Sequence, residues 1–145
     1  MHIMKRERKI ALFPKPKSLG KRNWGEELLL VLIPKVLSLK ILKIKKNKMG
    51  NLQYHHKKNE CGYIVSGSLL VKYEKNKKIC KKILKKGDCF HFPPGAIHQE
   101  QAITNCTIIE ASSPHFNDRV RVEAKYGMKA EKGLPSTRKS DIVFK

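Results

Sequence analysis

Short β-forming runs follow one another from residue 27 to residue 110 with turn formers between them, and this rhythm restricts the fold more than any other feature. Runs at 27–33, 36–45, 52–56, 63–65, 69–73 and 78–84 are rich in Val, Ile, Leu and Tyr. Runs at 89–92, 98–102 and 106–110 continue the series. Branched and aromatic side chains suit a pleated, half-buried surface. Gly50-Asn51, Gly67-Ser68, residues 74–77, residues 86–88 and Thr104-Asn105 are turn signals. Many short strands at close spacing predict an all-β sandwich or closed barrel. With 145 residues, the chain has a normal single-domain length.

The termini differ from this middle. Residues 1–20 are basic, carry Pro14 and Pro16, and read as an arm whose run 9–13 either packs as an edge strand or stays loose. Residues 21–127 read as the domain, with a short helix expected at 118–126, and residues 128–145 as a polar tail. The apolar run 28–33 stops at Pro34, far short of the ~20 residues of a membrane helix. The basic N-terminus lacks a signal-peptide core, so a soluble, cytoplasmic protein is expected, without a membrane partner. An apolar edge at 28–33 would invite strand pairing, which predicts a homodimer.

Thirty-two Lys and Arg stand against twelve Asp and Glu, a formal net charge of +20. Such a surface attracts anions through its long-range field. The lysines are spread through every segment, and the few aromatics do not interleave with Arg as stacking platforms would. This distribution predicts no specific nucleic-acid site, but a basic rim suited to a phosphorylated or nucleotide-linked small molecule. Cys61, Cys80, Cys89 and Cys106 form no C-x-x-C pair and read as reduced thiols.

Two runs carry the chemistry: NLQYHHKKNECGYIVSG at 51–67 and GDCFHFPPGAIH at 87–98. Gln53 and His55 are two apart, so a strand points both to one face. Glu60 follows a short polar stretch, and His98 follows a Pro-Pro-Gly turn. One amide oxygen, two imidazoles and one carboxylate suit one divalent ion of the Zn, Mn, Fe, Co or Ni group, with coordination positions left open. His56 alternates away from His55 and should face outward.

Both runs resemble the paired motifs of the cupin family. Gln53-x-His55, four residues, Glu60, six residues, Gly67 is similar to the first motif; Gly87, five residues, Pro93-Pro94-Gly95, two residues, His98 is similar to the second. Most cupins place His where this chain has Gln53, and that departure resembles the cupin mannose-6-phosphate isomerases of type II. Residues 21–27 (KRNWGEE) and 117–127 (NDRVRVEAKYG) resemble the entry and closing motifs of the same branch. The resemblance implies an all-β double-stranded β-helix, or jelly-roll barrel, with the metal inside its mouth. It implies a metal-dependent isomerase or epimerase acting on an anionic sugar, either a sugar phosphate or a nucleotide sugar. Lys58 stands where the branch carries an Arg, and Arg121 stands at the Arg of the closing motif; both are expected at the substrate. Gly62 replaces a bulky aromatic and should widen the cavity beside the metal. Lys58, Glu100 and Tyr63 are the candidates for the base that moves a proton between carbons. Two other readings stay open: a non-catalytic sugar- or small-molecule-binding cupin, and a metal-dependent dioxygenase.

Overall fold

The computed structural model describes residues 9–13, 15–116 and 118–128. The N-terminal arm before residue 9 and the tail from residue 129 lie outside the described residues. Eleven strands follow in order: β1 (Lys17–Arg22), β2 (Gly25–Ile33), β3 (Leu37–Ile44), β4 (Gln53–His55), β5 (Glu60–Ser66), β6 (Ser68–Lys75), β7 (Lys78–Lys85), β8 (Cys89–Phe92), β9 (His98–Ala102), β10 (Cys106–Ser112) and β11 (Arg119–Arg121). One sheet has the order β1-β2-β3-β10-β5-β8 and the other β11-β4-β9-β6-β7, with antiparallel pairing throughout. Two facing antiparallel sheets with these crossovers make the expected all-β jelly-roll barrel.

The inward faces of β3 and β10 show how the interior is organised. Their inward residues pair across the ladder as Cys106 with Ile44, Ile108 with Leu42, Glu110 with Lys40, and Ser112 with Ser38. Along the same two strands the interior therefore passes from dry to charged. Leu42, Ile44, Ile64, Leu69, Val71, Leu84, Phe92 and Ile108 fill the dry end. At the other end Ser38, Lys40, Glu60, Glu110 and Ser112 are all buried. Polar groups survive there because they are paired: the Ser38 and Ser112 hydroxyls lie 3.0 Å apart, and Lys40 Nζ donates to Glu27 Oε1 at 2.7 Å.

Several local expectations change. Residues 9–13 form no strand and are exposed; the edge strand is β1, which starts at Lys17, within the stretch expected to be arm. Residues 28–33 belong to β2, which pairs with β3 through Ile33 on one side, whereas β1 covers it only as far as Leu29 on the other, so among the described strands residues 30–33 keep one edge unpaired. Residues 118–126 split into β11 and a single 3-10 turn, Glu123–Tyr126, because residues 119–121 pair with β4. No helix among the described residues is long and apolar enough to cross a membrane.

Candidate metal centre and substrate cleft

Strand pairing brings the two motif runs together. Gln53 on β4 faces His98 on β9, and Gly95 N, in the Pro-Pro-Gly turn, donates to the His55 carbonyl at 2.8 Å. Gly95 adopts φ 84°, a left-handed conformation that glycine tolerates without strain. Gly67, which closes the first motif, has φ 83°, and a Cβ there would collide with the Asn105 carbonyl oxygen. The motif glycines therefore hold the turns that aim the strands.

His55, Glu60 and His98 are buried, and their ligand atoms lie within 4.8 Å of one another. Glu60 Oε1 is 3.1 Å from His98 Nε2 and 3.5 Å from His55 Nε2. The other ring nitrogens are occupied from behind. His98 Nδ1 donates to the Ala96 carbonyl at 3.0 Å, and His55 Nδ1 lies 3.2 Å from Asp118 Oδ1. Such outer contacts orient imidazoles so that Nε2 faces the centre. The Phe92 ring stacks on His98 at 4.1 Å and on Phe90 at 4.5 Å. Gln53 lines the same cleft, and its buried Oε1 has no hydrogen-bond partner among the described residues. An orphaned acceptor beside two imidazoles and a carboxylate is the donor chemistry of a divalent-ion site. His55, Glu60 and His98 thus form a cluster that can hold a metal ion, and Gln53 is placed to join it.

The sequence alone gives Asp118 no role at the site. Its Oδ2 accepts from the backbone N–H groups of Lys57 and Lys58 at 2.6 and 2.7 Å, fixing the β4–β5 loop. Burial raises its carboxyl, but these N–H groups and His55 outweigh that and hold it below the ordinary range. The only sequence signal for it was its place in the closing motif.

The cleft has a cavity volume of about 100 Å³ and brings Lys58, Glu100, Glu110 and Arg119 beside the cluster. Lys58 Nζ lies 3.1 Å from Glu110 Oε1 and 3.2 Å from Glu60 Oε2. Burial alone would lower the Lys58 ammonium, but the two carboxylates prevail and raise it. Glu60 is held well below the ordinary carboxylate range: burial opposes this, while Lys58 and both imidazoles enforce it. Burial pushes the Glu100 carboxyl up to about 8, helped by the carboxylates of Glu60 and Glu110. Burial also raises Glu110, against the pull of Lys58.

Of the expected substrate residues, Lys58 lies in the cleft wall, whereas Arg121 is exposed and Arg119, two positions earlier, lines the cleft. Of the candidate bases, Tyr63 is 43% exposed on the outer face of β5, Lys58 is held as a cation, and Glu100 remains. Gly62 does face inward between Glu60 and Ile64, but a Cβ there would collide with the Phe90 ring of the paired strand β8. Phe90 fills the room that the missing side chain leaves, so the expected widening beside the metal does not follow. His56 is exposed, as alternation predicts.

Comparisons with known proteins agree with this architecture. The family described as Cupin domain matches residues 40–111. Comparison with curated protein sequences gave no significant match. Among solved structures, KdgF from Halomonas sp. is similar at 24% identity and a TM-score of 0.56, over 64% of this chain and 81% of that one. The capsular polysaccharide assembling protein CapF from Staphylococcus aureus is similar at 17% identity and a TM-score of 0.65, over 74% of this chain. The alignment takes in only 34% of the CapF chain. Oxalate decarboxylase from Bacillus subtilis, a protein with Mn(II) centres, is similar at 19% identity and a TM-score of 0.63, over 92% of this chain and 44% of that one. At these identities the likeness is one of fold. Motif spacing, jelly-roll topology and the family match converge on a cupin domain at residues 40–111.

Proposed function

We propose that this protein is a metal-dependent isomerase or epimerase acting on an anionic sugar, a sugar phosphate or the sugar of a nucleotide sugar. The observation that carries this reading is a single cleft that holds both the His55–Glu60–His98 cluster and a carboxyl, Glu100, pushed up to about 8. Gln53, His55, Glu60 and His98 would hold one divalent ion of the Zn, Mn, Fe, Co or Ni group. Bound there, the ion would supply Lewis acidity toward a carbonyl and neighbouring hydroxyl, which favours loss of a proton from the adjoining carbon.

Glu100 is the group that moves that proton. A carboxyl that titrates near the working pH can both accept and return it, which isomerisation requires. Lys58 supplies a fixed positive charge at the cleft wall and keeps Glu60 ionised. Arg121, exposed on β11, acts on the approach rather than at the reacting carbon. A polysaccharide-assembly protein and a Mn(II) protein share the fold, which supports a sugar ligand and a divalent ion.

The test is proton exchange with solvent. Metal-loaded protein is incubated in D2O with a panel of sugar phosphates and nucleotide sugars, and deuterium at the carbon next to the carbonyl is followed by NMR. Deuterium should enter at least one substrate, and Glu100→Gln should abolish the exchange while the metal stays bound. Absence of exchange across the panel would overturn the reading in favour of a binding protein.

A further inference from the structure

One wall of the cleft has polar groups that the protein itself does not use. Asn51 is 3% exposed, and neither its Oδ1 nor its Nδ2 has a hydrogen-bond partner among the described residues. The Arg119 side chain is half-buried, its Nε is enclosed and unpartnered, and none of the described carboxylates lies within ion-pair distance of it. Both residues line the cleft, as does Trp24, which packs against the apolar core. Leaving a buried amide unpaired costs about 1–3 kcal/mol per group, so an Asn kept there without partners is a poor structural choice. Burial lowers the Arg119 guanidinium, and the carboxylates of Glu27, Glu60 and Glu110 offset this only in part.

We propose that Asn51 and Arg119 form the recognition wall of the cleft. Arg119 takes the anionic group of the ligand, and Asn51 takes a hydroxyl. A carboxylate or phosphate offers two oxygens to the parallel N–H groups of a guanidinium. A primary amide offers one donor and one acceptor side by side, and a sugar hydroxyl, itself donor and acceptor, satisfies both. Trp24 adds an apolar face for the C–H side of the sugar ring. The position of the pair is fixed by pairing: Arg119 sits opposite His55 across β11 and β4, and Gly50, next to Asn51, donates to the Glu100 carbonyl at 3.0 Å. A ligand held by this wall therefore lies in the cleft that the metal cluster and Glu100 also line. The inference deepens the sugar reading above and rests on it for the choice of ligand.

Binding, rather than turnover, tests it. Metal-loaded protein is titrated calorimetrically with glucose 6-phosphate, gluconate, glucose and inorganic phosphate at fixed ionic strength. Glucose 6-phosphate or gluconate should bind the parent, and which of the two binds tighter identifies phosphate or carboxylate as the anion. Arg119→Gln should weaken that binding by about tenfold or more, as loss of a charged hydrogen bond does. Asn51→Leu should weaken it by about tenfold as well, and should also weaken glucose, which Arg119→Gln leaves alone. Asn51→Leu should raise Tm, because an apolar side chain of similar volume relieves the unpaired amide. That opposite movement of affinity and stability separates a ligand-binding residue from a packing one. Unchanged affinity in either variant, or failure of both anionic sugars to bind the parent, overturns the proposal. Binding with these signatures but without deuterium exchange would leave the proposal standing and remove only the isomerase reading.

Discussion

Gln53 and His98, one from each motif run, are direct cross-strand partners between β4 and β9. This pairing gathers the cluster from distant parts of the chain, so the site should depend on each donor. Purified protein should carry about one divalent ion per chain, and His98→Ala should lose most of it, since one ligand fewer leaves a weak site. Gln53→Ala should lose less, because an amide oxygen is a weaker donor than an imidazole. Elemental analysis of both variants beside the parent decides this, and equal metal content in His98→Ala would refute the assignment.

Acid should weaken the metal site through His98. Burial would lower its imidazole, but Glu60, Glu100 and the Ala96 carbonyl prevail and raise it above the ordinary imidazole value. In the metal-free protein the imidazolium therefore adds stability below the unfolded value, about 6.5, and this is lost as pH rises through the higher folded value. A metal ion competes with that same proton. Affinity should fall as pH drops from above the raised value toward 6, while Glu60, held low, stays ionised. Competition with a chelator across this range checks it; a flat profile would contradict the geometry.

Lys58 is the counter-charge for two buried carboxylates, and its removal should be costly. Lys58→Met leaves Glu60 and Glu110 facing each other, and loss of one partner from a buried ion pair costs about 3–5 kcal/mol. The penalty should shrink in acid, as one carboxyl takes up a proton. Lys58→Met combined with Glu110→Gln should recover much of the loss. Urea unfolding at two pH values measures all three.

Gly62→Ala should destabilise the protein by about 1–3 kcal/mol, the usual cost of overpacking. The new methyl displaces the Phe90 ring, which stacks on Phe92, which in turn stacks on His98. Metal affinity should therefore fall together with stability. Phe90→Leu in the same chain should restore both, since it frees the space. Thermal unfolding with and without chelator reports the two effects separately.

The barrel and the meeting of His55, Glu60 and His98 were legible because they rest on local rules. Alternation placed Gln53 and His55 on one face, and turn glycines marked where strands end. What stayed hidden was non-local. Arg119 and Arg121 are equivalent by alternation, and only the folded chain shows that the first lines the cleft while the second is exposed. Gly62 faces inward as expected, but its neighbour Phe90 lies on another strand, and no local rule announces who fills a gap. Asp118 acts on His55 and on the backbone of a loop far away in sequence. Residues 118–126 carry helix-compatible side chains, yet strand pairing at 119–121 prevails over propensity.

The passage from dry to charged along β3 and β10 has a dynamic consequence. Glu110 and Lys40 hang from the same ladder as Ile108 and Leu42, so the chemical end has no hinge of its own. Opening it means breaking the central strands, an event that costs close to the whole unfolding free energy. Amide exchange at residues 108–112 should then be as slow as anywhere in the barrel. Ligand entry must then come from side-chain movement, while the backbone that carries the charges stands still.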